Sequence, residues 1–145
     1  MAASELYGET TGLAMTFVTP FYAGLVTLLF IYLSWRVVHL RNKYQIKMGD
    51  GGHTELTAAV RAQSNLVEYL PTSLLLMMML EFLGSSAGLI HALGVTLLFA
   101  RLLHLKGVKD PSGTSKHRKI GTRLTWVQMG VASLLCIVGV FGFVF

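Results

Sequence analysis

Arg61, Asn65, Glu68 and Thr72 recur at spacings of four, three and four residues, and at 100° per residue they fall within about 60° of one another on a helix, with Tyr69 beside them. A guanidinium, an amide, a carboxylate and two hydroxyls on one stripe can hold a ligand by both ends. Arg61 and Glu68 are seven residues apart, about 10 Å of helical rise, which is also about the reach of an extended tripeptide. A zwitterionic peptide laid along the stripe would pair its carboxylate with Arg61 and its ammonium with Glu68. Asn65 and the Tyr69 hydroxyl would then hydrogen-bond its amides or carboxylates. Periodicity supports a second reading equally well, in which the same side chains are glue. Arg61 and Glu68 would snorkel to an interface or pair with Arg101 on another helix to tie a bundle together.

The elements that carry this stripe are apolar. The chain has 145 residues, 53% hydrophobic and 13% charged, far from the balance of a soluble domain. Its charge-free runs cover residues 10–35, 69–80, 82–100 and 124–145, and three of these are long enough to cross a bilayer unaided. The run 69–80 is too short, so a span there must begin near Thr57 and carry Arg61 and Glu68 within or at the edge of the membrane. Ionisable groups at that depth cost free energy and mark function. The expected architecture is an all-α, integral membrane four-helix bundle forming a single domain over residues 1–145. Its helices are expected near 15–39, 56–82, 89–105 and 121–143. Asp50-Gly51-Gly52 and Asp110-Pro111-Ser112-Gly113 signal turns in the first and third loops, and Gly84-Ser85-Ser86-Ala87-Gly88 makes a short uncharged second loop. Pro71 reads as a tolerated kink in the second helix.

All twelve Lys and Arg residues gather in two places. Arg36, Arg41, Lys43, Lys47 and Arg61 surround loop 1, and Arg101, Lys106, Lys109, Lys116, Arg118, Lys119 and Arg123 surround loop 3. With an even number of spans, loops 1 and 3 share one side and both termini the other, and the positive-inside rule assigns the loops to the cytoplasm. Trp35 and Trp126 then anchor at one interface. The net charge of +5 and the pI near 9.6 describe topology and contact with anionic lipid, and they need no nucleic-acid partner.

The N-terminal stretch has acids and hydroxyls but no basic region, which argues against a cleaved secretory signal. Cys136 lies inside the last apolar run as a small buried hydrophobe, and a single cysteine permits no intrachain disulfide. His39, His53, His91, His104 and His117 form no i, i+4 pair and have no companion ligands at metal spacing, so no metal is expected. Met77, Met78 and Met79 read as packing or lipid-facing residues.

The run Arg61-Ala62-Gln63-Ser64-Asn65-Leu66-Val67-Glu68-Tyr69-Leu70-Pro71 resembles the second-helix signature of the membrane-associated proteins in eicosanoid and glutathione metabolism, the MAPEG family. The likeness extends through Arg41 and Gly49-Asp50-Gly51-Gly52 to Phe99-Ala100-Arg101-Leu102-Leu103-His104, and is greatest to the short bacterial members. It implies a homotrimer with three glutathione sites, each between adjacent subunits near the cytoplasmic face, in a bacterial inner membrane. Carried over by position, Arg61, Asn65, Glu68 and Tyr69 would bind glutathione, Arg41 would help from the end of helix 1, Gln63 would add a contact, and Arg101 would sit in the helix 3 wall. Where several eicosanoid-forming relatives place tyrosines on helix 3, this chain has His104, kept as a site neighbour, and Val108. An arginine at the head of helix 4 would stabilise the thiolate. Arg118 and Arg123 both qualify, and Arg118-Lys119-Ile120-Gly121 matches the bacterial spacing better.

The chemistry needs that arginine because a thiol with a pKa of about 8.5 is mostly protonated at neutral pH, whereas the thiolate is the nucleophile. A guanidinium stabilises the anion without giving up its own proton. The expected activity is glutathione transfer to hydrophobic electrophiles, or peroxidase action on lipid hydroperoxides arriving through the bilayer, with glutathione as cosubstrate. The alternative is a non-catalytic membrane protein that binds glutathione or a similar small peptide as sensor or carrier.

Overall fold

The computed structural model describes residues 18–108 and 115–142. The expected helix positions 15–17 and 143, and the Asp110-Pro111-Ser112-Gly113 turn, lie outside the described residues. All four expected helices are present: α1 Thr19–Tyr44, α2 Thr54–Phe82, α3 Ala87–Val108 and α4 Lys116–Gly139. Three of them, α1, α3 and α4, are long and apolar enough to cross a membrane. α2 carries Glu55, Arg61, Glu68 and Glu81 along its 29 residues and is not among these three. Its length of about 43 Å at 1.5 Å per residue nevertheless exceeds a bilayer core of about 30 Å.

The helix ends differ from the expected ones for identifiable reasons. α1 continues five residues past His39 because loss of hydrophobicity marks the end of an apolar span and not the end of a helix. Arg41 and Lys43 favour the negative end of its dipole. The helix stops at Gln45, whose φ of 54° is left-handed and whose N–H is directed to the Arg41 and Asn42 carbonyls. α2 ends where Gly84, at φ 83°, lets the Ser85 N–H bond the Leu80 carbonyl at 3.0 Å and its own N–H bond the Glu81 carbonyl at 3.0 Å. This paired closure needs a residue that tolerates positive φ. α3 begins two residues before the expected start because Ser86 acts as its cap, its hydroxyl accepting the Leu89 N–H at 3.4 Å. α2 runs as one helix through Pro71.

Contacts give the topology. Gln63 meets Ser34 and Tyr44 meets Glu55, so α2 is antiparallel to α1. Arg101 meets Asn65, and Ile90 shares the main core with Met77 and Leu80, so α3 is antiparallel to α2, and close approaches of Gly107 to Arg118 and of Gly121 to Ala100 and His104 make α4 antiparallel to α3. α2 and α3 each touch the other three helices, whereas among the described residues α1 and α4 do not meet. The main core lies toward the α2–α3 loop, around Met77, Leu80, Ile90, Leu97 and Ala132. Smaller clusters around Leu33, Ala62 and Leu66 and around Leu40 and Leu56 fill the space between α1 and α2 toward loop 1. The outward faces, including Leu28, Trp35, Phe99, Trp126 and Leu134, are exposed, as lipid-facing surfaces are. Met77 is core, while Met78 and Met79 are exposed.

Candidate functional site

The buried face of α2 is drawn by Ala59, Ala62, Leu66, Ser73, Met77 and Leu80, which cluster on one side of the helix. The polar stripe lies at the edge of that face. At 100° per residue Asn65 and Tyr69 fall on the edge nearer the core, while Arg61, Glu68 and Thr72 fall beyond it. The structure accordingly leaves Asn65 and Tyr69 half-buried and Arg61, Glu68 and Thr72 exposed.

Arg101 of α3 holds the inner edge. It is 1% exposed, and its Nη1 donates to the Asn65 side-chain oxygen at 3.1 Å and to the Asn65 main-chain oxygen at 3.3 Å. Its Nη2 donates to the Thr125 hydroxyl of α4, which in turn donates to the Gly121 carbonyl at 3.0 Å. The guanidinium carbon stands 5.3 Å from the centre of the Tyr69 ring, within cation–π range. Three helices thus converge on one cation. Arg101 does not pair with Arg61 or Glu68, and among the described residues neither of these has a hydrogen bond or salt bridge within the chain.

His104, one turn further along α3, is 4% exposed, and the charges of Arg101 and Arg118 both reach its ring. Arg118 is placed there by close helix packing, since a Cβ on Gly107 would fall 2.3 Å from the Arg118 nitrogen and one on Gly121 would fall 2.6 Å from the Ala100 oxygen. The buried stripe of α4 is Gly121, Thr125, Gln128 and Ala132. Arg118 falls about 60° from Gly121 around that helix and Arg123 about 160° from it. Arg118 is half-buried and Arg123 exposed.

Two of the expected residues stand apart from this cluster. Gln63 faces α1, its amide donating to the Ser34 hydroxyl at 2.8 Å. Arg41 donates to the Lys47 carbonyl at 2.7 Å and orders the start of loop 1. That loop is closed by Asp50, whose carboxylate accepts the Thr57 hydroxyl at 2.7 Å and the Gly52 N–H at 3.1 Å. These bonds, Thr57 first, hold the Asp50 carboxyl below its ordinary value, with a further contribution from the charge of Arg61.

Sequence reasoning passed over Thr125. The signal was present as small or polar residues at 121, 125, 128 and 132, a helical repeat that marks a close interhelical face. The charge-free runs also used Glu81 only as a boundary, although it is 6% exposed.

The model of the MAPEG family matches residues 19–138, which takes in all four helices and every residue of the cluster. Among curated proteins, the chain is 38% identical over 112 residues to the inner membrane protein YecN of Escherichia coli K12, covering 77% of this chain and 84% of that protein. The YecN of Escherichia coli O6:H1 matches to the same extent. A family match across the whole bundle, joined to an arginine-centred polar cluster on its second and third helices, shows that the chain belongs to the MAPEG family.

Proposed function

We propose that this protein is a glutathione-dependent transferase or peroxidase of a bacterial inner membrane, acting on hydrophobic electrophiles or lipid hydroperoxides as a homotrimer. One observation carries the reading: Arg61 and Glu68 stand exposed and, among the described residues, without hydrogen bonds or salt bridges, beside a cluster of Asn65, Tyr69 and Arg101. Opposite charges at that spacing suit the two ends of a tripeptide, and a second subunit against the outward face of α2 would enclose it. Arg101 engages the Asn65 amide oxygen, which leaves the amide NH2 to donate to a peptide carboxylate or carbonyl. Arg118, on the α3 side of α4, is the group suited to stabilise the thiolate, and Arg123 faces away from that side. With an aryl halide, the thiolate sulfur forms the new bond to carbon and halide leaves. The name of the Escherichia coli relatives supports the inner-membrane location, and the basic residues around loops 1 and 3 support an orientation with those loops in the cytoplasm and both termini outside.

Calorimetry tests this reading. Purified protein should bind glutathione, and Arg61→Ala and Glu68→Ala should each weaken binding by about tenfold or more, the usual consequence of losing a charge-assisted contact. Light scattering should give a trimer mass for all three proteins. A wild-type protein that binds no glutathione, with both variants aggregating, would return the stripe to the role of glue.

A further inference from the structure

At the end of the bundle remote from Arg101, α1 and α2 enclose a cavity of about 460 Å³ whose walls include Thr19, Pro20, Pro71, Leu75, Met78 and Glu81. Glu81 is sixteen residues beyond Asn65 on α2, about 24 Å along the helix axis, so this space is separate from the cluster described above. Leu75 and Met78 are exposed, and the cavity opens past them on the outer face of the bundle. Its polar atoms come from Glu81 and Thr19, which are 6% and 4% exposed.

The Glu81 carboxylate caps α1. Its Oε1 accepts the backbone N–H of Val18 and, at 2.9 Å, that of Thr19, where the first turn of a helix has unpaired donors and the positive end of its dipole. Among the described residues its other oxygen, Oε2, has no hydrogen-bond partner, and neither has the Thr19 hydroxyl oxygen. Among the described residues the salt bridges are those of Glu55, so no cation pairs with Glu81. Two buried oxygens on residues that line an otherwise apolar space are therefore without a partner among the described residues, an arrangement that protein interiors avoid.

We infer that this cavity binds a primary alkylamine, its ammonium donating to Glu81 Oε2 and the Thr19 hydroxyl oxygen and its alkyl chain lying along Pro71, Leu75 and Met78. Two acceptors ask for at least two N–H donors on one head group. A primary ammonium has three, an alcohol one and a quaternary ammonium none. The positive charge complements the carboxylate. The ammonium of phosphatidylethanolamine has the same donors, but its phosphate follows two carbons later and would have to enter the apolar part of the cavity, at a cost no contact there offsets.

Dodecylamine binding to the full chain in phosphatidylcholine nanodiscs, followed by native mass spectrometry, tests the assignment. Saturable binding of one amine per chain is expected, with dodecanol and dodecyltrimethylammonium binding at least about tenfold more weakly. Glu81→Gln should cost a similar factor, and Leu75→Trp, which fills the mouth from an exposed position, should abolish binding while leaving the helical circular dichroism and melting temperature unchanged. If Glu81→Gln fails to fold through loss of the α1 cap, Leu75→Trp and Thr19→Val decide. Wild-type affinity in the folded variants, or uptake that only follows the amount of lipid, overturns the site. Displacement of dodecylamine by added phosphatidylethanolamine overturns the alkylamine as its occupant.

Discussion

The Arg101 guanidinium of α3 donates to the Asn65 side-chain oxygen of α2 at 3.1 Å, and its second terminal nitrogen serves Thr125 of α4. A single planar cation therefore sets the spacing of three helices. The polar cluster and the packing of the bundle share one residue.

Arg101→Lys keeps the charge but replaces a planar fork by a point, so it cannot serve Asn65 and Thr125 in the same geometry. Loss of a buried charged hydrogen bond should lower stability by about 1.5–3 kcal/mol, seen as a reduced melting temperature in detergent. Thr125→Val should fall in the same direction. In a double-mutant cycle the two losses should be less than additive, because they break the same bond.

Gly121→Ala should destabilise the α3–α4 pair by about 1–3 kcal/mol, because its Cβ would meet the Ala100 oxygen at 2.6 Å and the His104 nitrogen at 2.7 Å. Gly130→Ala is the matched control. Nothing lies within 4 Å of a Cβ there, and alanine's higher helix propensity should leave stability unchanged or raised by up to about 1 kcal/mol. Equal effects at the two positions would refute the close crossing.

With glutathione bound, the wild-type protein should show thiolate ultraviolet absorbance at a pH where free glutathione does not. Arg118→Ala should abolish that band and the turnover of a hydrophobic aryl halide, while glutathione affinity falls much less. Arg123→Ala should leave the band in place. A band that survives Arg118→Ala and vanishes with Arg123→Ala would exchange the two assignments.

Asp50 gives a pH dependence with a definite sign. Its folded-state value is depressed by the Thr57 hydroxyl and the Gly52 N–H, so its contribution to loop 1 is fully present above the ordinary value of 3.8. It is lost as pH falls through the lower folded value. Hydrogen-exchange protection of the Gly52 amide should persist at neutral pH and disappear with acidification below that ordinary value. Asp50→Asn should remove the acid-dependent step.

Much of the fold was legible because apolar length is a physical requirement of a span, and the runs that could cross unaided correspond to α1, α3 and α4. Helix ends were less legible. Hydrophobicity stops at the membrane, whereas the helix stops at a cap such as Gln45 or Gly84. The stripe on α2 followed from angular arithmetic, but its division into a half-buried Asn65 and Tyr69 and an exposed Arg61 and Glu68 depends on where α3 packs, which no single helix encodes. Thr125 was legible as part of a close interhelical face, but the task of its hydroxyl was not, because that depends on Arg101 lying opposite it.

The two glycine approaches between α3 and α4 separate the position of Arg118 from the length of the segment that precedes it. Gly107 lies against the Arg118 backbone and Gly121 against Ala100 and His104, so the side-by-side register of two helices sets where that arginine stands. Selection on the position of that arginine therefore falls on the two glycines, where any larger residue would push the helices apart.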